Sequence, residues 1–379
     1  MTIKIAHIQL LPLLTGVQRV SLDELTRLNR SDFTPYMICQ QSGPMTEECE
    51  NNNITCLYTP TLVREISPLK DIKAFWHLYR LFRKYKFDIV HTHSSKTGVI
   101  GRLAAKLAGV PMIVHTVHGY AFPAAKSKLE KNIFLAMEWL GNKCSDKIIC
   151  LHDADKKIAE EALGAKASQL IVLANGVNIN KFNPPTIEQK QDIRTKLNLP
   201  FDAIVIGMVG RLWQQKNPKL LLTAAIAILK DRKNVHFVFA GDGELRAELE
   251  DKVNALGLSS NIHFLGWRND TESVLKAFDI FVLPSLWEGM PLAILEAQAT
   301  GLPCIVSNIQ GNNHLVSNEQ EGFLFDLEND KQLVNQLLSL ISDPELRYKM
   351  GQNGLNNVNI NHNISHRIEN IAQYYKGLN

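Results

Sequence analysis

Two glutamates in the stretch "SLWEGMPLAILEAQATGLP", Glu288 and Glu296, are spaced in a way that could place two carboxylates on one ligand. Pro291 is typical of the first position of a helix, so most of the segment between them is predicted to be helical. At about 1.5 Å of rise per residue the two carboxylates lie ~12 Å apart. Glycosidase acid/base pairs lie roughly 5 to 9.5 Å apart. The spacing therefore favours two separate contacts with an extended ligand.

The same segment is predicted to bind an anion. "DIFVLP" is typical of a parallel strand that ends at the carboxyl edge of a sheet, and "EGMPL" then opens a helix, where free amides attract phosphate. Glu288 would accept hydroxyl protons from a neutral group such as a sugar. A nucleotide diphosphate-sugar supplies both partners. The predicted amide donors are Gly289, Met290, Leu292 and Ala293.

Two cations follow an earlier predicted strand in "GMVGRLWQQKNP". Arg211 offers a planar guanidinium fork and Lys216 a point charge, and together they could neutralise a diphosphate at the carboxyl edge. Two solvated surface cations would give the same pattern.

The elements that must position these residues alternate between short apolar strands and helices, which predicts parallel sheets built from βαβ units. With 379 residues the chain exceeds the usual size of one hydrophobic core, so we expect two domains. The segment 175–189 carries asparagines, glycine and paired prolines and is the predicted linker. We predict Rossmann-like domains over 1–178 and 190–360. A helix in 361–379, set apart by the polar stretch "NNVNINHNIS", is expected to pack back on the first domain.

Composition excludes several classes. A net charge of +3 without a long basic tract argues against nucleic acid as a partner. Six cysteines form no CxxC pair, which is typical of reduced thiols in a cytoplasmic protein. The N-terminal run "MTIKIAHIQLLPLLTG" is interrupted by polar residues and is interpreted as a strand and its loop, and no apolar run reaches the ~18 residues of a membrane span.

Several ordered motifs resemble family 4 glycosyltransferases, particularly those of bacterial capsule, exopolysaccharide and O-antigen synthesis. The motifs are "FDIVHTHSSKTGVIGRLAAKLAGVPMIVHTVHGYAF", "GRLWQQKNP", "AGDGEL" and "EGMPLAILE", and the resemblance covers nearly the whole chain. It implies the α/β fold called GT-B, with two Rossmann-like domains facing each other across a cleft. The first would bind the acceptor and the second the nucleotide-sugar donor.

The resemblance also implies roles in the second domain. Arg211 and Lys216 would bind the donor diphosphate, and Lys216 would stabilise charge on the departing nucleotide. Glu296 would hold the ribose hydroxyls and Glu288 would contact the transferred sugar. The amides after Gly289 would lie near sugar and phosphate.

In the first domain, the resemblance implies that His118 reaches the sugar and that Gly16 lets its loop approach the diphosphate closely. Two motifs depart from the family pattern. The usual paired glycines of the first loop are Thr15 and Gly16. The later Gly-Gly-x-Pro-Glu pattern is replaced by "QGNNH", with His314 in the position of the glutamate. These departures bear on sugar specificity more than on catalysis.

The implied activity is retaining transfer of a sugar from a nucleotide diphosphate-sugar, UDP-linked by preference, to a hydroxyl of a polyprenyl-diphosphate-linked oligosaccharide. The resemblance implies no metal cofactor. Because the sequence declares no nucleophile, positioning and electrostatic stabilisation would carry the reaction. The alternatives are a sugar-nucleotide epimerase or hydrolase of the same fold and a non-catalytic sugar-nucleotide-binding subunit.

Other residues permit competing interpretations. His91 and His93 project to one face of a predicted strand and could bind a metal, but no further ligand is evident in the sequence, and histidines lining a ligand site explain them as well. "DAD" at 153–155 is interpreted as a helix cap and first-turn acid. Asp242 in "GDGEL" is interpreted as a turn residue, although it could also cradle a nucleotide. Trp213 and Trp287 could frame the site or pack a loop.

The segment 71–86 predicts a basic amphipathic helix, which could place the protein peripherally on the inner face of the cell membrane. A solvated basic face on a helix that flanks a sheet is the alternative. The apolar positions are Ile72, Phe75, Tyr79 and Phe82, and the basic ones are Lys73, His77, Arg80 and Lys84.

Overall fold

The computed structural model describes residues 2–377 except 64, 66, 121, 123, 124 and 126. The chain forms two compact units. Unit 1 contains the residues up to Asn175 together with those from Arg367 onward, and unit 2 contains Gly176–His366. Residues 378 and 379 of the predicted segment 361–379, and Ala121 of the "HTVHGYAF" motif, lie outside the described residues. The acceptor and donor roles of the two units stay predictions.

Unit 1 is built on a parallel sheet of order β3-β2-β1-β4-β5-β6-β7 within the described residues. Its strands are β1 (Ile3–Ile8), β2 (Phe33–Cys39), β3 (Thr55–Tyr58), β4 (Ile89–Thr92), β5 (Met112–Val117), β6 (Lys147–Cys150) and β7 (Leu170–Val172). Its helices are α1 (Gly16–Arg27), α2 (Pro44–Asn51), α3 (Pro68–Tyr85), α4 (Ser95–Ala108), α5 (Lys128–Cys144) and α6 (Asp153–Glu161), joined by most of α14 (Ile364–Tyr375).

Unit 2 repeats this plan with a parallel sheet of order β10-β9-β8-β11-β12-β13 in the described part of the chain. Its strands are β8 (Ile204–Val209), β9 (Val235–Ala240), β10 (Ile262–Gly266), β11 (Ile280–Leu283), β12 (Cys304–Ser307) and β13 (Gly322–Phe325). Its helices are α7 (Ile187–Lys196), α8 (Pro218–Ile228), α9 (Arg246–Ala255), α10 (Thr271–Lys276), α11 (Leu292–Ala299), α12 (Asp330–Ser342) and α13 (Pro344–Asn361).

In both sheets the strand order reverses beside the first strand of the unit, between β1 and β4 and between β8 and β11. Loops that leave neighbouring strands in opposite directions open a crevice at the carboxyl edge, where doubly wound proteins bind ligands. The strands next to the reversal are largely buried, as expected for parallel sheets covered on both faces, whereas the edge strand β3 has no buried residue. The topology therefore fixes where each unit can present a site.

One expectation about the C-terminal region is wrong. The polar stretch 356–365 does not separate the last helix from unit 2, because α13 continues to Asn361. The buried residues Gly351, Gly354 and Val358 recur at helical spacing, and an added Cβ on Gly351 would lie 2.1 Å from the carbonyl oxygen of Gly301. Close packing of glycines thus stabilises a helix whose asparagine-rich sequence has weak intrinsic propensity.

Helix α14 is anchored in unit 1 by a buried ion pair. The Arg367 guanidinium donates to one carboxylate oxygen of Glu24 at 2.7 and 2.9 Å, and to the carbonyl oxygens of Leu173 and Ala174. Both charged side chains are almost fully buried. A buried charge that loses its partner is strongly destabilising, so this pair fixes where α14 lies.

We predict that Arg367→Met lowers the free energy of unfolding by about 3–5 kcal/mol, because Glu24 is left buried without its cation. Urea unfolding followed by circular dichroism measures the change. Lys376→Met is the matched control, since Lys376 follows the same helix and pairs with Asp32 in solvent, where ion pairs are screened. Equal losses in the two variants would contradict the anchoring role.

Candidate active site

The candidate site residues of unit 2 follow the two strands at which the order reverses. Arg211 and Lys216 come after β8, and Glu288 comes after β11. These strands are neighbours in the sheet, so their carboxyl ends lie side by side. Residues 70 or so positions apart in the sequence are thereby brought together, as the switch-point rule predicts.

Lys216 and Glu288 form an ion pair. The Lys216 Nζ lies 2.5 Å from the Glu288 Oε1, and the Ser285 hydroxyl donates to the same oxygen at 2.7 Å. The side chains are 18% and 7% exposed. Lys216 closes the short helical turn Gln214–Lys216 before α8, which holds its stem at the carboxyl edge. The ammonium has three N–H donors, so it can bind a phosphate through the remaining ones or by exchange with the carboxylate.

Arg211 lies in a different environment from Lys216. Its guanidinium is 49% exposed, pairs with Glu244 at 3.2 Å, and lies 4.8 Å from the ring centre of Trp213. The aromatic face supports the guanidinium plane while leaving its N–H groups at the rim. The structure therefore places Trp213 beside a predicted binding residue, whereas Trp287 contributes its carbonyl oxygen to Gln215.

The turn "GDGEL" supports the loop that carries Arg211. Gly241 has a φ of +151°, and an added Cβ would lie 1.9 Å from the carbonyl oxygen of Gly210. The Asp242 carboxylate accepts the Gly243 N–H at 2.8 Å and pairs with Arg246 at 3.1 Å. These contacts support the interpretation of Asp242 as a turn residue.

The turn between β11 and α11 differs from expectation by one residue. Pro291 is the N-cap and the helix begins at Leu292. Gly311 of the "QGNNH" loop packs against this turn, since an added Cβ would lie 2.4 Å from the Gly289 carbonyl oxygen. Glu296 lies on α11 and is 8% exposed. The predicted amides of Gly289, Met290, Leu292 and Ala293 belong to this turn and the start of the helix.

A network behind Glu288 was not foreseen from the sequence. The Ser307 hydroxyl donates to the Ser285 carbonyl oxygen at 2.5 Å, and the buried Asn312 amide donates to both oxygens of Ser307 at 3.1 Å. The departure "QGNNH" thus connects through Ser307 and Ser285 to Glu288. The available signal was the position of both serines at or just past the carboxyl ends of neighbouring strands.

In unit 1, Gly16 is the first residue of α1 and follows the loop after β1. An added Cβ would meet nothing within 4 Å, so the space over this residue is open. Thr15 is the N-cap, and its hydroxyl bonds to Gln18. Open space over a helix N-terminus is compatible with the close approach of a diphosphate.

His118 follows β5 and is partly exposed. Its Nε2 lies 3.1 Å from the His93 Nδ1, and the His93 Nε2 lies 3.0 Å from the His7 Nδ1. Burial, helped by the Arg367 cation, lowers the pKa of His118 to about 3. The imidazole is therefore neutral at physiological pH and carries one N–H and one lone pair.

The structure supplies the partners of His91 and His93 that the sequence did not reveal. His7 from β1 and Glu24 from α1 join them, and one ligand atom from each of the four residues lies within 4.8 Å of the others. Sequence reasoning missed His7 because only the pairing of β1 with β4 brings it beside His91. It missed Glu24 because helix α1 carries that residue to within 3.9 Å of His7 and His91. The group has the composition of a metal site, and all four residues are buried.

The "DAD" segment lies at a helix start, as expected, but the N-cap is His152 rather than Asp153. The His152 Nδ1 accepts the Asp155 N–H at 3.2 Å, and burial raises the pKa of the Asp155 carboxyl to about 7. Asp153 and Asp155 belong to the first turn, where acids interact favourably with the helix dipole.

Two family models match the chain. Residues 14–181 match the model described as Glycosyltransferase Family 4, and residues 189–357 match Glycosyl transferases group 1. A relative from Escherichia coli, named UDP-Gal:alpha-D-GlcNAc-diphosphoundecaprenol alpha-1,3-galactosyltransferase, is 47% identical over 98% of this chain and 96% of its own length. The chain belongs to glycosyltransferase family 4. This confirms both the family prediction and the prediction of a glycosyltransferase activity.

More distant comparisons agree with this assignment of the transferase. An N,N'-diacetylbacillosaminyl-diphospho-undecaprenol alpha-1,3-N-acetylgalactosaminyltransferase from Campylobacter jejuni is 28% identical over 76% of this chain and 77% of its own. Among solved structures, Anabaena HepE in complex with UDP and glucose has a TM-score of 0.85 at 19% identity, covering 99% of both chains. WaaG has a TM-score of 0.78 at 15% identity, covering 98% and 100%. The predicted GT-B fold is confirmed.

The histidines of unit 1 predict a pH dependence of stability. Burial lowers the pKa of His7 and His118 to about 3 and those of His91, His93 and His115 well below the ordinary value. The unfolded chain binds these protons below pH ~6.5 and the folded chain does not. Stability is therefore present above that pH and falls on acidification, by about 1.4 kcal/mol per pH unit for each histidine.

Urea unfolding at intervals between pH 7.5 and 4.5 measures this slope. We expect a steep fall below pH ~6.5 and little change above it over this range. A free energy of unfolding that is constant between pH 6.5 and 5 would contradict neutral burial of these imidazoles.

Proposed function

We propose that the chain transfers galactose from UDP-galactose to a hydroxyl of a sugar carried on a polyprenyl diphosphate, with retention of the anomeric configuration. The observation that carries this proposal is the 47% identity, over nearly both full lengths, to a transferase whose name states that donor and acceptor. The Campylobacter jejuni relative also has alpha-1,3 transfer to a diphospho-undecaprenol-linked sugar in its name. An α-linked product from an α-linked UDP-sugar is a retained one.

The residues of unit 2 are assigned to the donor. Lys216 binds the diphosphate and stabilises the charge that develops on the departing UDP, and Arg211 binds the same group from the rim. Glu288 accepts hydrogen bonds from hydroxyls of the sugar, and Glu296 accepts them from hydroxyls of the ribose. The amides at Gly289 and at the residues that follow it complete the anion contacts. Support comes from the placement of all these residues at the switch point of one sheet.

In the proposed reaction, the bond between the anomeric carbon and the diphosphate oxygen breaks, and the acceptor hydroxyl oxygen bonds to that carbon. The acceptor's proton passes to the departing phosphate oxygen on the same face, so no protein nucleophile is required. Lys216 and Arg211 supply the positive charge at the leaving group, which is why the proposal includes no metal cofactor. His118 and Gly16 are assigned to contacts with the sugar and the diphosphate.

We further propose peripheral contact with the inner face of the membrane through α3, because a polyprenyl-linked acceptor is confined there. Within the described ranges, no helix is both long enough and apolar enough to cross a bilayer. Ile72 and Trp76 are 57% and 48% exposed. Ile72, which the sequence pattern placed on the apolar face of α3, is therefore not part of the core and lies among the basic residues. Ile72 and Trp76 line a shallow groove with Lys73, His77, Arg80 and Lys84. Exposed apolar residues among bases suit an anionic bilayer surface better than solvent alone.

The donor and acceptor are tested by measuring UDP release and product formation. UDP-galactose, UDP-N-acetylgalactosamine, UDP-glucose and GDP-mannose are supplied with and without a GlcNAc-diphosphoryl lipid. We expect release from UDP-galactose only with the lipid, and a loss of about 10²–10³-fold in kcat for Lys216→Ala. Lys219→Ala is the matched control, because Lys219 lies on the adjacent helix and pairs with Glu248.

Three outcomes would overturn this assignment. Release of UDP and free sugar without any acceptor would identify a hydrolase, and conversion of the donor into an isomeric nucleotide-sugar would identify an epimerase. Donor binding without turnover on the lipid acceptor would indicate a binding subunit. A preference for UDP-N-acetylgalactosamine would retain the transferase and change the donor.

The membrane proposal is tested by flotation with vesicles that contain anionic or only zwitterionic lipids. We expect the double variant Arg80→Ser/Lys84→Ser to lose about 1 kcal/mol of binding per basic residue on anionic vesicles only. Trp76→Ser should weaken binding to both kinds of vesicle. Lys157→Ser serves as the control. Lys157 is an exposed base on a different helix, α6, where it pairs with Glu161. Binding that no α3 variant reduces would contradict the proposal.

A further inference from the structure

A continuous chain of hydrogen bonds runs through unit 1 and ends at His118. Its links are short, between 2.6 and 3.1 Å. We call it the histidine chain. Each interior imidazole uses one nitrogen for each of its two neighbours, and Tyr375 uses its single hydroxyl for both. In order, its members are Thr116 Oγ1, His91 (Nε2, then Nδ1), Tyr375 OH, His7 (Nε2, then Nδ1), His93 (Nε2, then Nδ1) and His118 Nε2.

The fold explains why these residues meet. His7 and His91 are register partners on the adjacent strands β1 and β4, and β5 follows as the next strand in the sheet. Side chains two positions apart share a face of a sheet, which puts His93 beside His91 and His118 beside Thr116. Helix α14 covers this face, and its Tyr375 hydroxyl joins the two halves of the chain.

The protons of His7, His93 and His118 can be arranged in only two ways. Burial keeps the three interior imidazoles of the histidine chain neutral by lowering their pKa. A neutral imidazole donates through one nitrogen and accepts through the other, so the two links that join His7, His93 and His118 must point in the same direction. The Tyr375 hydroxyl can donate to His7 or accept from it. Either His93 donates to the His118 Nε2, which leaves the proton of His118 on Nδ1, or both links are reversed and that proton lies on Nε2.

Glu24 selects between the two arrangements. Its Oε1 accepts both N–H groups of Arg367, while its Oε2 has no hydrogen-bond partner among the described residues and lies 3.9 Å from the Nδ1 of His7 and of His91. Burial leaves the pKa of Glu24 above its ordinary value, while the two N–H groups that Arg367 donates to its Oε1 favour the carboxylate form. A negative oxygen favours protonated nitrogens at both Nδ1 positions. Only the first arrangement has a proton on the His7 Nδ1.

We propose that the histidine chain holds His118 as the tautomer with its proton on Nδ1, so that His118 presents an N–H donor to an oxygen of the donor sugar. Tyr375 and Glu24 are then positioning residues that act on the sugar through His118. The role of His118 toward the sugar rests on the proposed function, whereas its tautomer does not. One residue of α1 and one of α14 thus set the hydrogen-bond polarity of a residue at the carboxyl edge.

A bound cation is the competing explanation of the same cluster, since His7, Glu24, His91 and His93 could ligate one. Two observations count against it. Arg367 already places a positive charge on Glu24. The nitrogens that a cation would need from the three histidines all take part in links of the histidine chain. The hydrogen-bonded arrangement satisfies these buried polar atoms without an added charge.

The test is the tautomer of His118 in the full chain, measured by two-bond 1H–15N correlation of 15N-histidine-labelled protein at pH 7.5. His118→Gln identifies the His118 signals by their loss. We expect one protonated-type nitrogen at Nδ1 and one unprotonated-type nitrogen at Nε2. In Tyr375→Phe the link at the centre of the chain is lost, and the two His118 nitrogen shifts should move toward each other as both tautomers become populated.

Tyr374→Phe is the matched control on the same helix and should leave the His118 signals in place. Thr116→Val, which removes the far end of the chain with little change in volume, should move them in the same direction as Tyr375→Phe. A proton on the His118 Nε2 in the unmodified protein would overturn the proposal. So would His118 nitrogen shifts that are unchanged in both Tyr375→Phe and Thr116→Val. Stoichiometric zinc in the purified protein, bound by these histidines, would overturn it in favour of a metal site.

None of these readouts requires turnover. If the transfer assay fails while His118 shows the expected tautomer, the proposed function is wrong and the histidine chain remains. If transfer is confirmed and the tautomer differs, only the positioning role falls.

Discussion

The reversal of strand order at the centre of each sheet is the constraint on which the rest of this transferase depends. It makes the loops after β1 and β4 diverge in unit 1, and those after β8 and β11 diverge in unit 2. The residues with chemistry follow these strands or their immediate neighbours. Lys216 and Glu288 are ordinary charged residues when each is taken alone. They form a candidate site because the loops that carry them lie at the same edge of the sheet.

Buried polar networks then fix the orientation of the functional side chains. In unit 2, Ser285, Ser307 and Asn312 form hydrogen bonds behind Glu288. In unit 1, the histidine chain does the same behind His118. A buried donor or acceptor that loses its partner carries a large penalty, so such networks tolerate few alternative geometries. This is the local rigidity that positioning of a sugar requires.

The sequence predicts the features that depend on local patterns of apolar residues and turns. These features are the strands, the helices and the location of Arg211, Lys216 and Glu288 at the sheet edge. The pairing of Lys216 with Glu288 depends on contact between residues 72 positions apart. The approach of His7 to His91 depends on strand pairing, and that of Glu24 depends on where helix α1 lies. Such contacts leave no local signal.

The two wrong predictions, of a break before the last helix and of the cap of α6, also concern features that local sequence patterns do not determine. The polar stretch 356–365 predicts a break before the last helix, yet α13 continues to Asn361, and close packing of Gly351 and Gly354 stabilises it. His152 was overlooked as a helix cap because serine, threonine, asparagine and aspartate are the usual caps. Tertiary contacts outweigh intrinsic propensity in the first case, and an uncommon donor–acceptor geometry replaces the usual one in the second.

The Lys216–Glu288 pair suggests how a nucleotide-sugar is bound at modest electrostatic cost. Both charges are already largely buried and paired, so much of their desolvation occurs during folding rather than binding. A diphosphate that displaces Glu288 from Lys216 exchanges one anionic partner for another. In the proposed function, the released carboxylate keeps the Ser285 hydroxyl and can accept hydrogen bonds from sugar hydroxyls. If Lys216 and Glu288 have these roles, phosphate binding and sugar recognition are linked through the contact between them.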